Sequence, residues 1–495
     1  MIQEHVPQAA PSPGLIFDGE TYDIELGGIS GPLELEEPSL PTMDYAIHLI
    51  NTLKFHCCQL FHIFEEDEFM EQMRNFYNQT TPTIGRDQLW YVHFLVLIAF
   101  GKAFVSRGFE SRRPPGSEFF TVAMQQLPHM IGQAVRLAMS YGMHTDVSAE
   151  QLGQGVAQRY RKIWSTLYVL DRELTSWHGL PQSINDKDIQ LPLAYFPDSP
   201  QLSKILQIRV KFSRVIAQVN RDIYKDDGLV DKTFLARTKH TLPAIAELTD
   251  EVQQGFPLAL GQAASGISRP SAHIHLLYHQ CIVLATRPIL FCFLKIRLER
   301  RKTLQALIQS SQSVWTLVQM CLDSCYQIIV ILECLHEQGL LESFLIFDLE
   351  ALAVSTINIL IATTLNASMA STYFPLFQRS CLLFEELSRN GNRIATLEIS
   401  ELQHIEKVLS TYIQPDSDGT VAPESAQPQA SQAFAVISPG ANVGLPIANQ
   451  DVMEAPLSTS ISNMNTYGDG FDGGFSTVQI MDLADAIDAD FTDWM

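Results

Sequence analysis

Three aspartates in the middle of the chain have the residue type and the spacing that magnesium chemistry uses. Asp226 and Asp227 are adjacent, and Asp231 follows four residues later. Mg²⁺ is a hard cation that prefers oxygen ligands, so closely spaced carboxylates are its usual protein site. Lys225 and Gly228 flank the pair, however, and no second Asn, Ser or Glu metal motif is evident. We expect a solvated turn here and keep a helical, metal-dependent enzyme as the alternative.

Histidines and cysteines lie together at two further places. One local cluster consists of His56, Cys57, Cys58 and His62. Aromatic and aliphatic residues surround it, which favours helix packing over metal binding. His275 and His279 have the one-turn spacing of a zinc pair, but no acidic third ligand or glutamate base accompanies them. With no phosphate-cradling glycine loop or nucleophile elbow, the sequence predicts no catalytic, cofactor-binding or metal-binding residue.

Negative charge is concentrated at the two ends of the chain. The formal net charge is −22. No Lys or Arg stands before Lys54 or after Lys407, while both ends carry many aspartates and glutamates. The middle is nearly neutral. We therefore expect no direct binding of nucleic acid by the body, because phosphate neutralisation needs a basic surface.

Secretory and membrane classes do not fit the chain. The first residues lack the basic start and the apolar run of a secretory signal. The longest uncharged stretch, Ala351 to Gln378, contains many Ser, Thr and Asn residues. It is better explained as a buried core helix that breaks near Asn366 than as a membrane span. The eight cysteines are unevenly spaced, which is typical of reduced thiols in an intracellular protein.

Apolar residues recur at helical spacing through most of the chain, and alternating strand patterns are scarce. The clearest helical face is Ile205, Ile208, Phe212, Val215, Val219 and Ile223. The sequence therefore predicts an all-α fold. It also predicts four segments: a flexible acidic end at 1–40, a multi-helix domain at 41–413, a disordered linker at 414–468 and an acidic segment at 469–495.

The acidic segment alternates aspartates with large apolar residues, a pattern typical of activation segments that recruit other proteins. Its apolar residues include Leu483, Ile487, Phe491 and Trp494, spaced by four, four and three. A helix formed on contact with a partner would place them on one face. The sequence predicts that these four residues, here called the activation face, bind the transcription machinery or a coactivator.

Between Ala134 and Pro192 the chain contains a helix ending in a Gly-Met-His turn, an Arg- and Trp-bearing helix running into Asp-Arg, and a Gly-x-Pro loop. This order resembles the regulatory domain, or middle homology region, of the fungal-specific binuclear zinc cluster transcription factors. The resemblance extends over roughly residues 41–412. The matching signature positions are Gly142, His144, Arg159, Trp164, Asp171, Arg172, Gly179, Pro181 and Asp188, with Arg287 and Pro288 in a second match.

The chain departs from the family pattern at three points. Ser165 follows Trp164 where the family usually has a second Trp, and Leu180 replaces the Arg of Gly-Arg-Pro. The family's DNA reader needs six closely spaced cysteines around two zinc ions, and the cysteines here form no such cluster. We expect no zinc cofactor in this chain, either because it lacks the module or because the sequence begins downstream of it.

The resemblance implies a non-enzymatic nuclear regulator, specifically a pathway-specific activator of a metabolic gene set. DNA contact would come from a missing N-terminal module or from a partner, such as a DNA-binding family member in a homo- or heterodimer. A scaffold or inhibitor that heterodimerises with such a member is a further hypothesis, and an enzyme of the terpene-cyclase kind using the three aspartates is the alternative.

Two groups of charged residues have open roles. We expect Asp171 and Arg172 to join a buried ion-pair network, with Arg136 or Arg159 as the partner. A basic run is either a nuclear import patch or a solvated helix face. It consists of Lys295, Arg297, Arg300, Arg301 and Lys302.

Overall fold

The structure is a computed structural model of the chain. It describes Tyr22 and residues 38–78, 88–106, 113–126, 131–146, 149–177, 183–189, 199–224, 234–258, 266–299, 312–365, 367–412 and 475–487. Every regular element in these ranges is a helix, which confirms the predicted all-α class. The three aspartates at 226, 227 and 231, the predicted linker and the last eight residues lie outside the described ranges.

The first half of the fold is built from mostly short helices. These are α1 (Met43–Leu53), a π-helical turn (Lys54–Cys58), α2 (Glu66–Asn78), α3 (Gln88–Val105), α4 (Ser117–Gln126), α5 (Ile131–Ser140), α6 (Ala149–Leu152), α7 (Gln154–Trp177) and a 3₁₀ turn (Asp186–Asp188).

The second half is built from long helices and ends in a short one. These are α8 (Pro200–Ile223), α9 (Phe234–Gly255), α10 (Arg269–Glu299), α11 (Gln312–Glu337), α12 (Ile346–Leu365), α13 (Ala367–Arg389), α14 (Arg393–Tyr412) and α15 (Thr477–Ala486). Helix α12 ends at Leu365 and α13 begins at Ala367. Asn366, near which a break is expected, lies outside the described residues.

Local sequence signals explain the starts of two helices, α1 and α8. The Thr42 hydroxyl accepts a hydrogen bond from the backbone N–H of Tyr45 and so caps α1. Pro200 occupies the first turn of α8, where a missing N–H costs nothing. The predicted face of α8 is buried at every position, because residues three and four apart share one side of a helix.

Helix α10 lies at the centre of the core. It packs against α8, α9, α11 and α12, and its residues from Pro270 to Val283 are all buried. A second, smaller core cluster lies where α5, α7 and α8 meet and is centred on Trp164. The larger core holds the body together, whereas the smaller one contains the signature residue Trp164.

Two described helical stretches, Ser313–Glu337 and Ile346–Leu365, are long and apolar enough to cross a membrane. In each, 67% of the apolar window is buried inside the protein. They belong to α11 and α12, which pack against each other and against α10. Their apolar composition is therefore accounted for by core packing.

Candidate functional site

The signature begins with a tight turn at the end of α5. Gly142 has a φ of 71°, a left-handed conformation that favours glycine. Its N–H donates to the Met139 carbonyl at 2.9 Å, and the N–H of Met143 donates to the Ala138 carbonyl at 3.0 Å. These two bonds are the Schellman pattern of a helix C-terminus. Gly142 therefore caps the C-terminus of α5.

Trp164 anchors the smaller core cluster. Its side chain is 2% exposed and lies among residues of α5, α7 and α8. The His144 ring packs against the indole, with 5.7 Å between ring centroids. The turn after α5 and the helix α7 are thus joined by an aromatic contact, so these two signature residues serve packing.

Asp171 and Arg172 tie α7 to the segment 183–189. The Ser183 hydroxyl donates to the Asp171 carboxylate at 2.8 Å, and the Arg172 guanidinium donates to the Ile184 carbonyl. The same guanidinium lies 5.2 Å from the centre of the Tyr168 ring. These residues therefore hold the loop that leaves α7.

The expected ion pair of Asp171 or Arg172 with Arg136 or Arg159 is wrong. Arg159 instead pairs with Glu68 on α2 at the surface. The physical reason is proximity, since the loop at 183–189 folds back onto α7 and supplies a hydroxyl and a carbonyl directly beside the two buried side chains.

The remaining signature residues do not lie together in the structure. Asp188 is exposed in the 3₁₀ turn, and Gly179 and Pro181 lie outside the described residues. The Arg287 Nε donates to the Tyr224 hydroxyl at 2.8 Å, and that hydroxyl donates to the Leu284 carbonyl at 2.7 Å. Burial raises the pKa of Tyr224. Arg287 thus links α10 to the end of α8, while its neighbour Pro288 lies inside α10.

A buried ion pair that the sequence analysis missed lies beside the signature. One Nη of Arg209 is 2.9 Å from both carboxylate oxygens of Glu173, and the other donates to the Leu60 carbonyl at 2.7 Å. The guanidinium lies 4.1 Å from the centre of the Phe61 ring. Burial raises the pKa of Glu173, and Arg209 opposes that rise. The available signal was a charged residue within the apolar stripe of α8.

A second buried pair crosses the larger core. Arg269 on α10 donates to Asp348 on α12 at 2.8 Å. His273, one turn after Arg269, has a pKa well below its ordinary value because of burial and the nearby positive charges of Arg209 and Arg269. Burial and both arginines thus favour the neutral imidazole. The two ion pairs join α7 to α8 and α10 to α12 inside the core.

Three of the four histidines considered as metal ligands have polar partners within the protein. His56 lies 3.2 Å from Glu342, and His62 lies 3.3 Å from Glu65. The Nε2 of His275 is 2.8 Å from the Phe256 carbonyl. Within the described ranges no group of three or more His, Cys, Asp and Glu side chains is arranged to hold a metal ion.

A small cavity opens beside the end of α3. Its volume is about 80 Å³, and Phe104, His336, Glu342 and Asn390 contribute to its lining. A drug-sized ligand needs on the order of 300 Å³ or more. This cavity therefore has room for a few water molecules and not for a metabolite.

The C-terminal helix α15 packs against α9 and also contacts α11. Ile480, Leu483, Ala484 and Ile487 are buried in this groove, whereas Asp482 and Asp485 are exposed. The residue spacing predicts that Leu483 and Ile487 are open to a partner, but in the structure both are buried against the chain itself. The body supplies the apolar surface that the amphipathic segment needs. Phe491 and Trp494 lie outside the described residues.

Hydrogen bonds fix the start of α15. The phenol of Tyr278 and the amide of Gln253 donate to the Phe475 carbonyl at 3.2 and 3.3 Å. The Thr477 hydroxyl lies 2.8 Å from the Asp250 carboxylate and 3.2 Å from the Ala246 carbonyl. Backbone and side-chain groups of the body thus hold the first turn of α15 in register.

Residues 72–227 match the family model described as the fungal specific transcription factor domain. This confirms the resemblance over α2 to α8, with the signature between Ala134 and Pro192 inside the matched range. The domain's signature residues, as described above, mainly hold helices and turns together.

Two curated relatives are similar to parts of the chain. The acetamidase regulatory protein of Aspergillus fumigatus is 25% identical over 162 residues, which is 32% of this chain and 21% of that protein. An uncharacterized transcriptional regulatory protein of Schizosaccharomyces pombe is 23% identical over 111 residues, 20% of this chain and 15% of that protein. The matches therefore span about a fifth or less of the relatives' length. No solved structure matches the chain.

Proposed function

We propose that this chain is a nuclear transcriptional regulator, and specifically an activator of a metabolic gene set. The observation that carries the proposal is the fungal specific transcription factor domain at residues 72–227. One similar protein is a regulator of an acetamidase, which is consistent with a metabolic target. The body would receive a signal or bind a partner, and the acidic C-terminal segment would recruit the transcription machinery or a coactivator.

The charge distribution supports indirect contact with DNA. The middle of the chain is nearly neutral and its ends are acidic, so a basic reading surface is not evident in the sequence. We propose that DNA is reached through another module or through a DNA-binding partner in a homo- or heterodimer. Lys295, at the exposed end of the basic run on α10, is available for nuclear import, while Arg300, Arg301 and Lys302 lie outside the described residues.

The activation role is tested by fusing residues 440–495 to an unrelated DNA-binding domain and measuring a reporter. We expect activation, because the aspartates keep the segment soluble and the activation face binds a coactivator groove. Replacing Phe491 and Trp494 by Ala should remove most of the output. The matched control, Asp490→Asn, should change it little. Full output from the double Ala variant would contradict the role of the apolar face, and a silent wild-type fusion would contradict the activator role.

A further inference from the structure

Two of the four residues of the activation face are buried in the groove formed by α9 and α11. Leu483 is 5% exposed and Ile487 is 1% exposed. A coactivator that binds the activation face needs these same two side chains. Because one apolar side chain cannot fill two grooves at once, the docked tail and the coactivator-bound tail exclude each other.

We propose that docking of α15 on α9 and α11 autoinhibits the chain, so that the body masks its own activation face until α15 is displaced. This inference rests on the proposed activator function of the tail. The body then acts as an intramolecular receptor for an acidic amphipathic helix. A signal that weakens the groove, or a partner that captures the released helix, raises the output.

The groove is built to recognise α15 in a defined orientation. Ile480 is 0% exposed and Ala484 is 2% exposed, so the buried face of α15 is continuous over its length. Tyr278, itself buried on α10, and Gln253 on α9 both donate to the Phe475 carbonyl. Two bonds from different helices to one carbonyl fix where the docked segment begins.

The charges of α15 are compatible with both the docked and the released state of the helix. Asp482 and Asp485 lie on the exposed side of the docked helix, so docking removes no carboxylate from water. The same carboxylates keep the helix soluble once it is released. The apolar face changes its environment between the docked and released states while these carboxylates stay in water, which suits a reversible contact.

The chain offers a variant that releases α15 without touching the activation face. Ile480 is buried in the groove but is not one of the four activation residues. Ile480→Asp places a carboxylate in the apolar groove and should undock the helix. Val478→Asp is the matched control, since Val478 is 66% exposed on the same helix and gains the same charge.

The experiment uses the full chain fused to an unrelated DNA-binding domain. Hydrogen exchange at residues 477–487 reports docking, and a reporter gene reports activation. We expect Ile480→Asp to speed exchange and to raise reporter output on the order of tenfold, while Val478→Asp behaves like wild type. Adding the Phe491→Ala and Trp494→Ala changes to Ile480→Asp should remove the gain.

Three outcomes distinguish failure of the autoinhibition proposal from failure of the proposed activator function. Unchanged exchange in Ile480→Asp would overturn the docking. Faster exchange with unchanged output, where the 440–495 fusion is active, would overturn autoinhibition and leave the activator function standing. A silent 440–495 fusion would instead contradict the proposed function on which the inference rests.

Discussion

At the scale of single residues, Trp164 makes the clearest prediction. Trp164→Ala should destabilise the body by about 3–5 kcal/mol, because it leaves a large cavity in the smaller core cluster. The midpoint of denaturant unfolding measures the change. Leu137→Ala on the neighbouring α5 is the matched control, since Leu137 is 58% exposed and its loss should be nearly neutral. Equal midpoints for Trp164→Ala and wild type would mean that the indole is not packed.

Glu398 on α14 gives a prediction about pH. Burial, with the nearby Glu401 and Glu350, raises its pKa to about 7. A carboxyl with a raised pKa in the folded state binds its proton more tightly than in the unfolded state. Its unfavourable contribution therefore appears as the pH rises from about 4.5 and is complete above about 7.

Glu398→Gln should accordingly be more stable than wild type above pH 7, by about 1–2 kcal/mol after allowance for solvent screening. The difference should vanish near pH 4.5. Unfolding free energies measured across this pH range provide the test, with the exposed Glu385→Gln on α13 as control. If Glu398→Gln is more stable than wild type by the same amount at every pH, the burial and repulsion of the Glu398 charge are not the cause of the gain.

At the scale of elements, the start of α15 is set by a capping box. The Ser476 hydroxyl accepts from the N–H of Gln479, and the Gln479 side chain accepts from the N–H of Ser476. Ser476→Ala should cost about 1 kcal/mol of helix stability, whereas Ser476→Gly should cost only a few tenths. Hydrogen exchange at residues 477–487 should therefore be faster in the Ala variant. Equal rates in the two variants would indicate that packing alone holds α15.

Elements were predictable from the sequence where a local pattern determines them. The face of α8 from Ile205 to Ile223 and the turn at Gly142 both follow from short-range periodicity and backbone preference. The groove for α15 was not predictable, because it is built from α9 and α11, far away in the chain. The spacing of Leu483 and Ile487 defines an apolar face, but a sequence pattern does not specify which surface covers it.

In the candidate site, too, features set by a local pattern were predictable, and features set by the packing of distant helices were not. The Glu173–Arg209 and Arg269–Asp348 pairs each join residues on different helices, so no spacing rule connects them. Asp171 and Arg172 were expected to be buried, and they are, but their partners are Ser183 and the Ile184 carbonyl. Burial follows from the apolar pattern of one helix, whereas a partner depends on how several helices pack.

At the scale of the whole molecule, limited proteolysis should separate body from ends. Residues 41–412 should resist cleavage, because the core extends from α1 to α14. From composition, 1–40 and 414–468 should be cut quickly. The sequence alone predicts rapid cutting of 469–495 as well, but docking of α15 should protect 475–487. Mapping the early fragments by mass spectrometry tests this, and Ile480→Asp should abolish only the protection at 475–487.

The attachment of α15 to its own groove through the chain sets a threshold for any competitor. The linker predicted at 414–468 would tether the helix and give it a local concentration on the order of 1 mM at the groove. If α15 binds the groove with an intrinsic dissociation constant of about 100 µM, it is then docked in roughly nine-tenths of the molecules. Under the proposal, a soluble coactivator at micromolar concentration would have to bind α15 far more tightly than the groove does. The length of the segment between Tyr412 and Phe475 would thereby tune how much coactivator is needed to open the chain.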